Sequence, residues 1–380
     1  MGHHPAVKHL ATFLVLLFLA NPSATASDAQ LAAPVRAATL HRQAAAQIDR
    51  FIAGEMVKRH IAGVAVAVLT DGQIRYAKGY GFAAVERRLP VRIDTRFLIA
   101  SITKMFTATG TMLLVEDGKV RLDAPVGDYV QGLPPHWRPV TVRQLLAHTG
   151  GINSHTSHHE PPCGRTTEEK NYKQQDVIAE VSCLPLDFPP GTSWSYTDTG
   201  YFVLGLLIER VSGLTYEEYL RQRIFKPLGM HSTRLMGPMG VDDGRAVGYS
   251  WDGKQLVRAP LISPVIEGPS GGLVSTVRDL AKFDAALSDN RLLPQSVLRE
   301  MWRPLRIGTA MYGLGFAVRP INGRPQVGHT GGGPGATTSF ARYVDDDLTV
   351  VLLTNSAQPP FTIQEIVSGI ADRVLKPVVE

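Results

Sequence analysis

The chain predicts a mixed α/β fold of the α+β type. One antiparallel sheet is built from both ends of the sequence, flanked by terminal helices, with a mostly helical lobe inserted between them. Three observations predict this. Hairpin patterns lie towards opposite ends of the chain, helix-period segments fill the middle, and an amphipathic helical pattern stands near each terminus. Of 380 residues, 44% are hydrophobic and 19% charged, an ordinary globular composition rather than a disordered one.

Residues 36–60 carry Ile48, Phe51, Ile52 and Met56 at helical spacing. The apolar run 63–69 and the run 74–81 flank Asp71-Gly72, a strong hairpin signal. Ser101 to Glu116 reads as a helix, Thr141 to Ala147 as a short one, and Tyr201 to Val211 as an apolar one. Tyr216 to Ile224 is a further helix, stopped by Pro227 and Gly229. Residues 153–190, polar and rich in His, Pro and Glu, read as a surface insertion. Tyr312 to Val318 alternates as a strand. Thr337 to Tyr343 and Thr349 to Thr354 flank Asp345-Asp346-Asp347 as a second hairpin, and Thr362 to Leu375 closes the chain as a helix. The sheet lobe is expected over about 36–100 and 265–380, and the helical lobe over about 101–264.

Residues 1–26 read as a secretion signal. Lys8 and three histidines precede an apolar run from Leu10 to Ala20, and Ala24-Thr25-Ala26 gives a small-x-small cleavage pattern. The run is shorter than the roughly 20 residues that span a bilayer. The expected mature domain is 27–380, exported to a periplasmic or secreted location, with no stable membrane insertion. In an oxidising compartment Cys163 and Cys183 can pair and staple the polar insertion. The net charge of +5 is scattered, with no basic block interleaved with aromatics, so nucleic acid is not an expected partner.

The sharpest local feature is Ser101-Ile102-Thr103-Lys104. On a helix, positions i and i+3 share a face, so the Lys104 amine can stand beside the Ser101 hydroxyl. A serine hydroxyl needs a base to become a nucleophile. Burial and positive neighbours would lower the lysine pKa towards neutrality and let it serve as that base. Two more stretches add polar groups. Tyr196-Thr197-Asp198 precedes the Tyr201 helix, and His329-Thr330-Gly331-Gly332 lies between two strand patterns. A glycine-rich strand edge lets a substrate backbone approach closely.

Taken in order, Ser101-x-x-Lys104, Tyr196-x-Asp198 and His329-Thr330-Gly331 resemble the serine β-lactamase and D-alanyl-D-alanine peptidase superfamily, on the side of the class C enzymes and related esterases. The flanks around His148, the Gly200–Gly213 helix, residues 225–230 and residues 271–276 are similar too. The resemblance covers roughly residues 40–375. It implies acylation of Ser101, proton transfer shared by Lys104 and Tyr196, and an oxyanion hole from the backbone N–H groups of Ser101 and Gly332. His329 and Thr330 would line the pocket for the substrate's polar end, with no cofactor and no metal. The substrates implied are a small ester, a D-amino-acid peptide or a β-lactam, with peptidoglycan fragments as further partners.

Two positions depart from the family pattern. Asp198 stands where asparagine is usual; a carboxylate only accepts hydrogen bonds, favours a charged Lys104 and repels an anionic substrate. His329 stands where lysine is frequent and is mostly neutral near pH 7. Both weaken capture of a β-lactam carboxylate. The sequence therefore points to an esterase or D-amino-acid peptidase with weak or absent β-lactamase activity. A class C-like β-lactamase and a non-catalytic peptidoglycan or β-lactam binder are the alternatives. Two motifs carry less weight. Gly268-Pro269-Ser270-Gly271-Gly272 fits the Gly-x-Ser-x-Gly elbow, but Pro264 and Pro269 break the approach and no helix is expected after the serine. His155, His158, His159 and Glu160 lack the paired spacing of a structural zinc site and read as a solvated loop. His148 reads as packing beside Thr149 at a helix end.

Overall fold

The strand Gly63–Thr70 alternates Val64, Val66 and Val68 with Ala65, Ala67 and Leu69, and all six are buried. Successive strand residues point to opposite faces, so this strand must be covered on both sides. In the computed structural model it is. The valines join Ile48 and Ile52 of the helix Arg42–Lys58 and Ile363, Ile366, Val367 and Ile370 of the helix Pro360–Leu375 in one apolar cluster. The alanines and Leu69 belong to a larger cluster shared with the helices from the middle of the chain. Each fully buried valine contributes about 1.5–3 kcal/mol. The structure describes residues 40–157, 162–164, 173–237, 244–260, 263–307 and 310–375, so the secretion-signal reading of residues 1–26 lies outside the described residues. Those described all fall within one unit, Ala37–Glu380.

The main sheet has nine described strands. It runs from Leu89–Pro90 through Gln73–Ala84, Gly63–Thr70, Leu348–Thr354, Ala336–Tyr343, Arg324–Gly333, Ala317–Ile321 and Ala310–Tyr312 to Leu305–Ile307. Every neighbouring pair is antiparallel. The N-terminal hairpin and the C-terminal strands meet where Val66 pairs with Leu352, so the sheet is assembled from both ends of the sequence as its patterning predicts. The first hairpin turns at Asp71 and Gly72 with φ of 52° and 65°, the paired left-handed conformation that suits the twist of two-residue hairpins.

One strand expectation needs correction. Tyr312 to Val318 is not continuous: residues 313–316 separate Ala310–Tyr312 from Ala317–Ile321. Gly315 has φ of 83°, and a Cβ there would lie 3.2 Å from the Lys104 carbonyl oxygen and press into Ala108. The segment breaks the strand to pack against the nucleophile helix, which alternation alone does not reveal. The Tyr216–Ile224 helix also differs. A regular helix runs Tyr216–Leu220, a wider π-type turn follows over Arg221–Phe225, and Lys226–Leu228 ends at Gly229 with φ of 67°. The insertion 153–190 contains a short 3-10 turn, His155–Ser157, and the helix Gln174–Ala179. Cys163 and Cys183 form a disulfide, with Cα atoms 5.6 Å apart.

The helix Thr103–Glu116 is buried from Thr103 through Leu114, as a helix in the middle of a domain must be. Its threonines are satisfied internally. Thr109 and Thr111 donate to the carbonyls of Met105 and Thr107, and Thr107 donates to Pro269 O at 2.6 Å. No described helix is long and apolar enough to cross a membrane.

Candidate active site

Ser101 sits in a 3-10 turn, Ala100–Ile102, that leads directly into the helix Thr103–Glu116. Ala100 has φ of 46°. A non-glycine residue in the left-handed region costs on the order of 1 kcal/mol or more and persists only when its surroundings hold it. Two bonds hold the preceding residue: Ile99 N donates to Leu273 O at 2.9 Å, and Thr338 Oγ1 donates to Ile99 O at 2.9 Å. The strand Arg324–Gly333 closes on the same turn. A Cβ on Gly331 would collide with Ile99 O and Thr338 Oγ1 and reach 3.0 Å from the Ala100 methyl. Glycine is required there by close approach.

Lys104 is fully buried. Its ammonium has three hydrogen-bond acceptors: Asp198 Oδ1 at 2.6 Å, Ser270 O at 2.9 Å and Ser101 Oγ at 3.3 Å. These match the three protons of the group. Burial opposes its charge, but the Asp198 carboxylate more than offsets that and holds the pKa above the usual lysine value. The expected lowering by burial and positive neighbours is therefore reversed, because the nearest neighbour is a carboxylate. Burial likewise pushes the Asp198 carboxyl up, yet Lys104 and a donated bond from Thr156 Oγ1 at 2.6 Å bring it below the usual range. Asp198 starts the helix Asp198–Ser212, capped by Thr197, and its N–H donates to Ser154 Oγ at 3.0 Å.

Tyr196 lies over the same ammonium, 4.7 Å from the ring centroid to Lys104 Nζ. Its hydroxyl is buried and makes no well-formed hydrogen bond with the described residues. Burial raises its pKa, partly countered by Lys104. The ring stands on His148 at 4.4 Å between centroids, and His148 also contacts Tyr201 and Tyr312. His148 is fully buried with φ of 59°, and Thr197 N donates to its Nδ1 at 3.2 Å. Burial drives its pKa well below the ordinary value, so it is neutral. Beyond packing at a helix end, it positions the Tyr196–Asp198 segment.

His329 reaches this aromatic cluster, 6.1 Å from the Tyr196 ring. Both of its nitrogens are engaged: Nδ1 lies 2.5 Å from Thr330 O and Nε2 lies 2.9 Å from Tyr312 Oη. A carbonyl accepts only, so Nδ1 carries the proton and Nε2 accepts from Tyr312. Burial lowers its pKa to about 3. His329 thus has no free donor for a substrate. Thr330 faces elsewhere. It alternates to the other face and lines a cavity of about 630 Å³ with Arg319, Gln364 and Ser368, away from the Lys104 cluster. Gly331 and Gly332 continue the strand, pairing with Thr338 and Thr337. Pairing with the strand Ala317–Ile321 ends at Gly328, which leaves the 329–333 edge open on that side.

The sequence missed three contributors. Ser154 and Thr156 come from the insertion read as surface loop. The third is the elbow-like segment, which ends a helix, Pro264–Gly271, kinked at Gly268 with φ of 30°; as expected, no helix opens after the serine, and the strand Leu273–Ser275 follows instead. The elbow serine is not an exposed nucleophile. Ser270 Oγ donates to Glu267 O at 2.8 Å, while the Ser270 carbonyl accepts a hydrogen bond from Lys104. His155 bonds to Thr199 Oγ1 at 3.1 Å and Ile266 O at 3.1 Å. His158, His159 and Glu160 lie outside the described residues, and no group of metal-ligating side chains gathers among those described.

The beta-lactamase family profile matches residues 48–369. Penicillin-binding protein 4* of Bacillus subtilis is 30% identical over 321 residues, covering 79% of this chain and 70% of that protein. The chain spans between about half and 70% of the length of the first curated relatives it matches. Among solved structures, the octameric penicillin-binding protein homologue from Pyrococcus abyssi aligns with a TM-score of 0.76 and 31% identity, over 87% of this chain and 77% of that one. The D-amino acid amidase from Ochrobactrum anthropi SV3 aligns with a TM-score of 0.77 and 28% identity, over 87% of this chain and 98% of that one. By the extent of that profile and the kinship of these relatives, the chain belongs to the beta-lactamase family of serine hydrolases.

Proposed function

We propose that the protein is an exported serine hydrolase that cleaves esters or amides of D-amino acids through an acyl-enzyme on Ser101. The observation that carries this reading is the Lys104 ammonium, 3.3 Å from Ser101 Oγ, beneath a Tyr196 hydroxyl that interacts with both groups without a well-formed hydrogen bond to either. Lys104 is held charged, so it serves as the electrostatic partner of the developing anion rather than as the resting base. Tyr196 has both a lone pair and a proton to give. In acylation the Ser101 oxygen bonds to the substrate carbonyl carbon. Its proton passes to Tyr196 Oη as the tyrosine proton passes to the leaving amine or alkoxide, and the carbon–leaving-group bond breaks. In deacylation water replaces Ser101 as nucleophile; its proton goes to Tyr196, and the tyrosine proton returns to Ser101 Oγ. The phenol stays neutral throughout, which suits its raised pKa. The backbone N–H groups of Ser101 and Gly332 are the proposed oxyanion hole; losing one such donor typically costs about 3–4 kcal/mol.

The kinship with a D-amino acid amidase supports the substrate class. Efficient β-lactam hydrolysis is disfavoured by charge. Asp198 neutralises Lys104, and His148, His155 and His329 are all pushed towards the neutral form by burial, so among the described residues no free cation in this cluster receives a carboxylate. Export, with removal of residues 1–26, is part of the proposal, and the Cys163–Cys183 bridge supports it. Reaction with a fluorophosphonate and with a penicillin, followed by mass spectrometric mapping, tests the nucleophile, with Ser101 expected to carry the label. A panel of p-nitrophenyl esters, D-amino-acid amides and a chromogenic cephalosporin tests the class. Efficient cephalosporin turnover, or a label on another serine, overturns the reading.

A further inference from the structure

Among the described residues, Glu267 is the charged side chain of this site that the mechanism above does not use. It lies on the helix Pro264–Gly271, whose Ser270 carbonyl binds Lys104. Its carboxylate extends over Gly271, where a Cβ would collide with Glu267 Oε2 and lie 3.8 Å from the carbonyl carbon of Ala100. Gly271 therefore makes room for this carboxylate beside the turn that carries Ser101. Glu267 is partly exposed, and its side chain forms no hydrogen bond or ion pair with the described residues. The nearby cation cannot serve it, because the Lys104 protons are already directed at Asp198, Ser270 and Ser101. Burial, with the Asp198 charge adding to it and Lys104 countering only in part, lifts the Glu267 carboxyl to about 7. Such a carboxylate has no cation bonded to it, and a bound ammonium would supply one.

We propose that Glu267 forms an ammonium subsite beside Ser101, selecting substrates whose D-residue carries a free, protonated α-amino group. This rests on the hydrolase reading for its substrate class but not for its test. An N-acylated substrate brings no charge and leaves a desolvated carboxylate unpaired, and a substrate with an acidic acyl substituent meets two like charges, Glu267 and Asp198.

Binding can be read without turnover in a Ser101→Ala background, by calorimetry at pH 8 with D-phenylalaninamide and N-acetyl-D-phenylalaninamide. The free amine is expected to bind at least about tenfold more tightly (about 1.4 kcal/mol). Adding Glu267→Gln should bring the two affinities within about twofold, and Glu267→Asp should retain part of the preference. At pH 5.5, where Glu267 is protonated, the Ser101→Ala protein should lose most of its preference. Over this range the neighbours Lys104 and Asp198 keep their charges, and His148 and His155 are biased to neutrality by burial. Equal affinities in Ser101→Ala at pH 8, or a preference that survives Glu267→Gln, overturns the subsite. Failure of the parent enzyme to hydrolyse either amide, or any ester, would instead sink the hydrolase reading.

Discussion

Two buried ion pairs in this molecule are built from the same ingredients and behave differently. At the candidate active site, Asp198 meets Lys104 at 2.6 Å. In the fold proper, Asp284 of the helix Val277–Ser288 meets Arg342 of the strand Ala336–Tyr343 at 3.0 Å. Burial pushes both carboxyls up. At Asp198 the partner wins and the group stays ionised; at Asp284 burial wins and the pKa rises. The bonding explains this. Asp198 has one oxygen on the ammonium and the other on Thr156. Asp284 Oδ1 takes both Arg342 and Thr349, while Oδ2 has no partner among the described residues, and Arg342 is shared with Asp347. The direction of the shift in a dry place follows the satisfaction of both carboxylate oxygens, not the mere presence of a cation.

The two pairs also differ in what surrounds them. Lys104–Asp198 sits among two non-glycine residues of positive φ, Ala100 and His148, and below a tyrosine hydroxyl that makes no well-formed hydrogen bond with the described residues. Strain and unused polar groups of this kind cluster at functional sites. The Asp284–Arg342 pair ties a helix to the sheet, and its loss should register as stability. Separate mutation of the two regions distinguishes these roles.

The largest effect is expected at the nucleophile. Ser101→Ala should lower kcat on an activated ester by about 10⁴-fold or more, and Tyr196→Phe by about 10²–10⁴-fold, with little change in denaturation midpoint for either. Arg342→Met should do the opposite. Breaking a buried pair costs about 3–5 kcal/mol, read by urea unfolding, while kcat of the folded fraction stays within about threefold. A large kcat loss in Arg342→Met, or none in Tyr196→Phe, would erase the contrast. Asp198→Asn sharpens it further. Without the carboxylate, burial dominates at Lys104, its pKa falls, and it becomes available as a base. Acylation by penicillin should then rise, by about tenfold, followed as covalent label against time; an unchanged rate would show that charge at Asp198 does not govern the site.

The smallest effect concerns pH. His329 titrates at about 3 when folded, against an unfolded value near 6.5, because burial disfavours its charge. The unfolded chain binds more protons between these values, so this stabilisation is full above pH 6.5 and is lost as pH falls towards 3. One proton contributes a slope of about 1.4 kcal/mol per pH unit. Unfolding free energies measured from pH 7 to 4 should show a slope reduced by about that amount in His329→Gln. His148 and His155 add in the same direction in both proteins.

Legibility followed range. The Ser101–Lys104 pairing was readable because three residues along a helix fix a shared face, and the 3-10 turn ahead of the helix did not disturb it. The hairpins at Asp71-Gly72 and at 345–347 were readable from turn chemistry and alternation. Thr330 was misplaced because a motif read as a unit ignores that neighbouring strand residues face opposite ways. Glu267, Ser154 and Thr156 carried no local signal, and the motif around Ser270 gave no hint of its carbonyl's role. They matter through a carbonyl, a hydroxyl or an open carboxylate that only packing brings to Lys104.

The linear order of residues thus determined the sheet-and-helix architecture, the family and the serine–lysine spacing, since periodicity, turns and i,i+3 geometry act within a few residues. Tertiary structure decided the charge states. Whether Lys104 is a base or a cation, whether His329 donates, and whether Glu267 lacks a partner depend on desolvation and on groups distant in sequence. Those terms do not exist until the chain has folded around them.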